Sequence, residues 1–194
     1  MPLEIDKNKT ALVVIDLQKG IVGMSAEPHP AEEVVINASK IAEAFRNNKM
    51  PVFLVRVAMS PDMKDGLKPR SDSQMNRGQF LPDWADIVPQ LGPAETDFVI
   101  TKHQWGAFYG TELDLQLRRR EIDSIVLCGI ATNIGVESTA RFAYEYGYNQ
   151  VFAEDAMSAI SEEEHNNSIH KIFPRMGLVK NTEEILSALR SETS

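Results

Sequence analysis

The chain has 194 residues, of which 43% are hydrophobic and 25% charged, and its net charge is −8 at pH 7. These values are typical of a globular domain in water and predict a single domain over residues 1–194. The negative balance argues against sequence-independent binding to nucleic acid or to an anionic membrane, because both need clustered positive charge.

The cysteine content and the lengths of the apolar runs argue against disulfide-rich, zinc-binding and membrane-spanning classes of protein. With one cysteine, Cys128, the chain cannot form an internal disulfide or a cysteine-rich zinc site. The first residues are polar and carry no apolar signal core, and the longest apolar stretch, 125–131, is far shorter than the ~20 residues that span a bilayer. A reduced, cytoplasmic location is the simplest expectation.

Short apolar runs rich in β-branched residues alternate along the chain with segments of helical periodicity. The runs are continuous, which predicts strands that are covered on both faces. The predicted strands are, in chain order, 11–15, 52–55, 98–100, 125–128 and 151–153. This alternation of strands and helices predicts a three-layer α-β-α sandwich with a mostly parallel, Rossmann-like open sheet.

The predicted helices lie between and after these runs. Apolar residues repeat at helical spacing from 34 to 45, and four later helices begin at polar residues that favour N-terminal caps. These are Thr111, Asn133, Ser161 with Glu164 as its capping-box partner, and Thr182. The segment from Ser60 to Pro93 breaks the rhythm with five of the ten prolines, and its length predicts a functional loop or lid.

Polar residues follow three of the predicted strands where each one ends. Ligands of open parallel sheets bind beyond the carboxyl ends of the strands, so Asp16, Lys102 and the helix start near Asn133 are expected to converge. Burial would raise the pKa of Asp16 and Lys102 would lower it, and such a pair can move a proton. The residues alone leave open a purely structural ion pair at the rim of the sheet.

At these positions the sequence resembles the isochorismatase-like hydrolases, also called cysteine hydrolases. The matching segments are 11–18, 102–111 and 129–140, and their order and spacing make the resemblance specific. The similarity extends from about residue 9 to residue 189 and implies one isochorismatase-like hydrolase domain. In the cysteine members the catalytic triad is Asp, Lys and Cys, and Asp16 and Lys102 match the first two.

The third triad position is Gly135, six residues after Gly129, so the nucleophile is missing. A glycine cannot form the thioester on which the amidases of the family depend. Isochorismatases of the family look similar, with a glycine at this position, and hydrolyse a vinyl ether with the aspartate as acid. The resemblance therefore implies a hydrolase of a small molecule in which Asp16 is the general acid/base and Lys102 supplies charge to Asp16 and to the substrate.

Two other functions remain open. The chain could be a small-molecule-binding pseudoenzyme that kept the pocket and lost its chemistry, which the missing nucleophile favours. It could also be an amidase that uses Cys128, although a cysteine inside a strand has no assured exposure or activating cation.

The remaining site predictions concern binding. The family often has a cis peptide at the position of Ile130–Ala131, and we predict that it aims the N–H groups of Ala131 and Gly135 at one point. The residues expected to bind substrate are Gln18, Trp105, Phe108 and Arg77, the last by a loose similarity around 76–78. We predict no metal and no cofactor, since the metal-binding Asp-x-His of the amidases and the nucleotide-binding glycine motifs are absent. Family membership also implies a homo-oligomer.

Overall fold

Six parallel strands form a sheet in the computed structural model, which describes residues 3–72 and 81–190. The order across the sheet is β3-β2-β1-β4-β5-β6. The strands are β1 Thr10–Ile15, β2 Val52–Val57, β3 Phe98–Lys102, β4 Ser124–Ile130, β5 Asn149–Ser158 and β6 Leu178–Lys180. The five predicted strands are confirmed, each extended by one or more residues.

Helices cover both faces of the sheet. They are α1 Lys19–Val22, α2 Ala31–Asn47, α3 Leu113–Arg119, α4 Glu137–Glu145, α5 Glu162–Asn167 and α6 Thr182–Arg190. Wide π-helical turns occupy Thr132–Val136 and Ser168–Ile172, and a 3-10 turn spans Phe173–Arg175. The predicted three-layer α-β-α architecture is confirmed.

The core is split into two clusters by the sheet, which explains the continuous apolar runs. Along β1, Leu12 and Val14 pack toward α2 and α6, whereas Val13 and Ile15 pack toward α3 and α4. Every residue of β1 is buried. A strand covered on both faces has no solvent-facing side on which polar residues would be tolerated.

Two helix starts differ from the predictions. The helix predicted to begin at Asn133 begins instead with the π-helical turn at Thr132. The Asn133 side-chain oxygen is buried and has no hydrogen-bond partner among the residues that the structure describes, so Asn133 does not cap the helix. Helix α3 begins at Leu113, where Thr111 Oγ1 accepts a hydrogen bond from the Leu113 N–H at 3.2 Å. The Ser161 cap is confirmed, since its hydroxyl accepts from the Glu164 N–H.

Strand register brings the ends of β1, β3 and β4 to one edge of the sheet. Ile15 pairs with Gly129, and Val57 at the end of β2 pairs with Lys102. Gly129 has φ +126°, and a Cβ atom there would lie 2.0 Å from the Ile15 carbonyl oxygen. Only glycine permits this backbone approach, which places the segment after β4 directly beside Asp16.

The second half of the 60–93 segment folds back over the residues that follow β1. The Gly20 N–H donates to the Trp84 carbonyl at 3.0 Å, and the Val88 N–H donates to the Leu17 carbonyl at 3.1 Å. The parts of this segment that the structure describes, 60–72 and 81–93, consist mainly of turns, bends and irregular backbone and contain no helix or extended strand. Elsewhere too, no described helix is long and apolar enough to cross a bilayer.

Candidate active site

Asp16 and Lys102 form a buried ion pair at the carboxyl edge of the sheet. Lys102 Nζ lies 2.7 Å from Asp16 Oδ2, and the two residues are 1% and 6% exposed. Lys102 reaches this position from β3, across the end of β2. The structure therefore brings Asp16 and Lys102 together at this edge, as the positions of the strand ends predict.

The ammonium group of Lys102 has no donor left for a substrate. Besides Asp16, it donates to the carbonyl oxygens of Gln104 at 3.1 Å and of Trp105 at 2.6 Å. A lysine ammonium has three N–H donors, so these three acceptors use all of them. The geometry supports the prediction that Lys102 supplies charge to Asp16. It leaves no N–H of Lys102 free for the predicted contact with substrate.

Asp16 has one engaged oxygen and one that is not. Oδ2 accepts from Lys102, whereas Oδ1 is buried and has no hydrogen-bond partner among residues 3–72 and 81–190. Burial raises the pKa of Asp16 from 3.8 to about 6, against the opposing charge of Lys102. The residue also has φ +55°, a left-handed conformation that is uncommon outside glycine and concentrates at functional sites.

Gly135 lies directly beside the ion pair of Asp16 and Lys102. A Cβ atom built on Gly135 would lie 3.0 Å from Asp16 Oδ2, 3.0 Å from Ile15 Cγ2 and 3.5 Å from Lys102 Nζ. The predicted grouping of Asp16, Lys102 and Gly135 thus corresponds to one compact cluster. The Asp16 carboxylate occupies part of the space that a side chain at position 135 would need.

The turn from Ala131 to Val136 is anchored by hydroxyl groups that the sequence patterns did not single out. Thr132 Oγ1 lies 2.9 Å from His165 Nδ1, and Thr139 Oγ1 donates to the Gly135 carbonyl at 2.7 Å. Burial, with help from the neighbouring charges of His29 and His170, lowers the pKa of His165 to about 4, so its ring is neutral at pH 7. Thr132 directly follows the apolar stretch 125–131, and that position at the predicted helix start is the only sequence signal that could have pointed to it.

The Ile130–Ala131 peptide is cis, as predicted. Ala131 itself is partly buried and accepts hydrogen bonds from the N–H groups of Ile134 and Val136 through its carbonyl. The joint direction of the Ala131 and Gly135 N–H groups stays a prediction.

Gln18 is completely buried and braces the backbone around Asp16. Its Nε2 donates to the carbonyls of Val57 at 3.0 Å and Trp84 at 3.3 Å, and its Oε1 accepts from the Val57 N–H at 2.8 Å. These contacts join the end of β2 to the segment that follows β1. They favour a bracing role for Gln18 over the predicted contact with substrate.

The aromatic residues predicted to line the pocket differ in burial. Phe108 is 4% exposed and packs against the rings of Tyr146 and Tyr148, so it belongs to the core cluster beneath α3 and α4. Trp105 is 57% exposed beside the Lys102 loop and is accessible to a ligand. Arg77, the predicted contact for a carboxylate, lies outside the described residues.

Cys128 lies in the opposite core cluster, between the sheet and α2. It is fully buried, and burial together with the charge of Asp155 raises the pKa of its thiol well above the usual range. A nucleophilic cysteine requires the opposite environment, with exposure and a nearby cation. The geometry therefore disfavours the amidase function based on Cys128.

Alkylation gives a direct check on Cys128. We expect iodoacetamide to leave the native protein unmodified at pH 7.5 and to label Cys128 only after denaturation, because the reactive thiolate is scarce and inaccessible. Peptide mass spectrometry measures the labelled fraction. Rapid labelling of the folded protein, with loss of hydrolysis, would contradict the buried environment.

A family model described as the Isochorismatase domain matches residues 10–184. The chain belongs to the isochorismatase family of hydrolases. It is 55% identical over 187 residues to the isochorismatase family protein YecD of Escherichia coli O157:H7, covering 96% of this chain and 100% of that one. Its identity to the isochorismatase family protein YwoC of Bacillus subtilis is 52% over 190 residues, covering 97% and 98%.

A solved structure supports the same isochorismatase-family assignment. An isochorismatase family protein from Burkholderia thailandensis superposes with a TM-score of 0.94 at 44% identity, covering 98% of this chain and 100% of that one. Within residues 3–72 and 81–190, no group of three or more His, Cys, Asp or Glu residues is arranged to hold a metal ion.

Proposed function

We propose that the chain hydrolyses the vinyl ether, or a related C–O bond, of a small metabolite, with Asp16 as general acid and without a covalent intermediate. Isochorismate is the family precedent among members with glycine at this position, and it is the first substrate to test. The observation that carries the proposal is the Oδ1 of Asp16, which is buried and has no hydrogen-bond partner in the described part of the chain.

The proton of neutral Asp16 belongs on Oδ1, because Lys102 holds Oδ2. From Oδ1 it can pass to the terminal alkene carbon of a vinyl ether, which leaves positive charge on the carbon bonded to oxygen. Water adds to that carbon and releases one proton to solvent, and the resulting hemiketal separates into a ketone and an alcohol. The buried carboxylate is then reprotonated from solvent, so one water is consumed per turnover.

Two further groups have roles in this proposal. Lys102 tunes Asp16 through its charge and does not contact the substrate. The N–H groups of Ala131 and Gly135 hold an anionic group of the substrate at the start of the helical segment that leads into α4, where backbone amides favour negative charge.

The pH dependence of kcat/KM with isochorismate tests the proposal. Because the acid form of Asp16 is required and its pKa is about 6, kcat/KM is expected to be nearly constant below about pH 5, to halve by about pH 6 and to fall tenfold per pH unit above about pH 7. The loss of the enol ether is followed by absorbance, with a no-enzyme reaction subtracted at each pH.

The opposite slope, a kcat/KM that rises through pH 6, would show that Asp16 acts as a base and would sink the acid mechanism. Binding of isochorismate without turnover at any pH would favour the pseudoenzyme. Calorimetric titration of the same protein distinguishes that outcome from an absence of binding.

A further inference from the structure

The Gln104 side chain makes two hydrogen bonds across the loop that follows Lys102. Gln104 Nε2 donates hydrogen bonds to the carbonyl oxygens of Gly106 at 2.9 Å and of Tyr109 at 2.7 Å. Residues 103–110 form bends and turns rather than helix or strand. The Gln104 amide therefore supplies hydrogen bonds across a loop that lacks the regular backbone hydrogen bonds of a helix or strand.

We propose that Gln104 is a positioning residue of the site: its amide closes the loop that presents the carbonyls of Gln104 and Trp105 to Lys102, and thereby fixes the ammonium against Asp16. Gln104 touches none of the reacting atoms. The catalytic consequence of this inference rests on the proposed function, whereas its geometry holds for any substrate.

The Lys102 ammonium depends on the conformation of this loop for two of its three hydrogen bonds. Its side chain is long and flexible, so holding it in one conformation costs rotamer entropy. Two of its three hydrogen-bond acceptors are carbonyls only two and three residues further along the chain. These carbonyls can point back at Nζ only if the loop turns sharply, and the Gln104 amide holds that turn.

Loss of the Gln104 amide should act locally. The same loop is also attached to α4, since the Ala107 N–H donates to Thr139 Oγ1 at 3.1 Å. At its far end, Thr111 Oγ1 donates to the Ala107 carbonyl. Phe108 anchors it to the core. A variant without the amide therefore keeps its fold while the carbonyls of Gln104 and Trp105 lose their fixed direction.

The test is Gln104→Met, which keeps the length of the side chain and removes its donors. Lys102 is the charged group that lowers the pKa of Asp16, so a less well-fixed ammonium should raise the pKa of Asp16 by about one unit above its value in the wild type. Carbon-13 NMR of aspartate-labelled protein measures this pKa, with the Asp16 signal assigned from Asp16→Asn. The matched control is Gln90→Met at an exposed position, which should leave the pKa unchanged.

A second variant guards against misfolding. Gln104→Asn keeps an amide that is too short to reach both carbonyls, and it should raise the pKa of Asp16 in the same direction by a smaller amount. An unchanged pKa in a folded Gln104 variant, checked by circular dichroism, would overturn the inference. Because this measurement needs no substrate, failure of the protein to hydrolyse isochorismate would count against the proposed function and leave this result standing.

Discussion

Replacing Asp16 with asparagine is expected to lower kcat/KM for isochorismate by about 10²–10⁴-fold, the range by which a positioned general acid accelerates a reaction. Asparagine has nearly the same shape and keeps an oxygen that can accept from Lys102, but it cannot donate a proton to an alkene carbon. The variant should also lose the decline in kcat/KM above pH 6, because the titrating group is gone. Steady-state kinetics across pH 5–8 measure both effects.

The matched control for this variant is Asp123→Asn. Asp123 is exposed, and it precedes β4 at the amino end of the sheet, opposite the site. We expect wild-type kinetics from this protein. Retention of more than a tenth of wild-type activity by folded Asp16→Asn would mean that the proton comes from another group.

Placing a side chain at position 135 is expected to disturb Asp16 before it adds any new chemistry. A Cβ atom there would lie 3.0 Å from Asp16 Oδ2, which is tighter than ordinary van der Waals contact, so the carboxylate must shift by a few tenths of an ångström. We expect Gly135→Ala to lower isochorismate turnover by roughly tenfold, because small misplacements of reacting groups are costly.

Gly135→Cys separates crowding from the effect of a thiol. Its sulfur would lie close to the Lys102 ammonium, which favours the thiolate. We expect the new thiol to react with iodoacetamide in the folded protein while Cys128 stays unlabelled, and amide hydrolysis to appear only in this variant. Equal turnover of isochorismate by wild type and Gly135→Ala would show that the Asp16 carboxylate does not need the space left by glycine.

The strand ends and the grouping of the site could be predicted because they follow from local pattern and sheet topology. A continuous apolar run followed by Asp16 identifies both a buried strand and the polar residue at its carboxyl end. Strand β6 was missed because it has three residues and is partly exposed, so it carries no apolar run. The assignment of the nucleophile position to Gly135 depended on the family resemblance.

Features that depend on tertiary contacts could not be predicted in the same way. The apolar character of Phe108 and Trp105 is similar, yet one packs in the core and the other is exposed, because only the fold decides which ring meets α4. Asn133 has the right chemistry for a cap, but the turn at Thr132 is fixed by His165 from a distant segment. Gln18 looked available for substrate until its partners on β2 were known.

Lys102 belongs to β3, which lies at the edge of the described sheet, where β2 is its one partner strand. Edge strands detach at lower free energy than central ones, so β3 can fray while β1 and β4 stay folded. Each such opening would withdraw the ammonium from Asp16 without unfolding the chain. Amide hydrogen exchange along β3 would therefore measure how much of the time the ion pair between Asp16 and Lys102 is assembled.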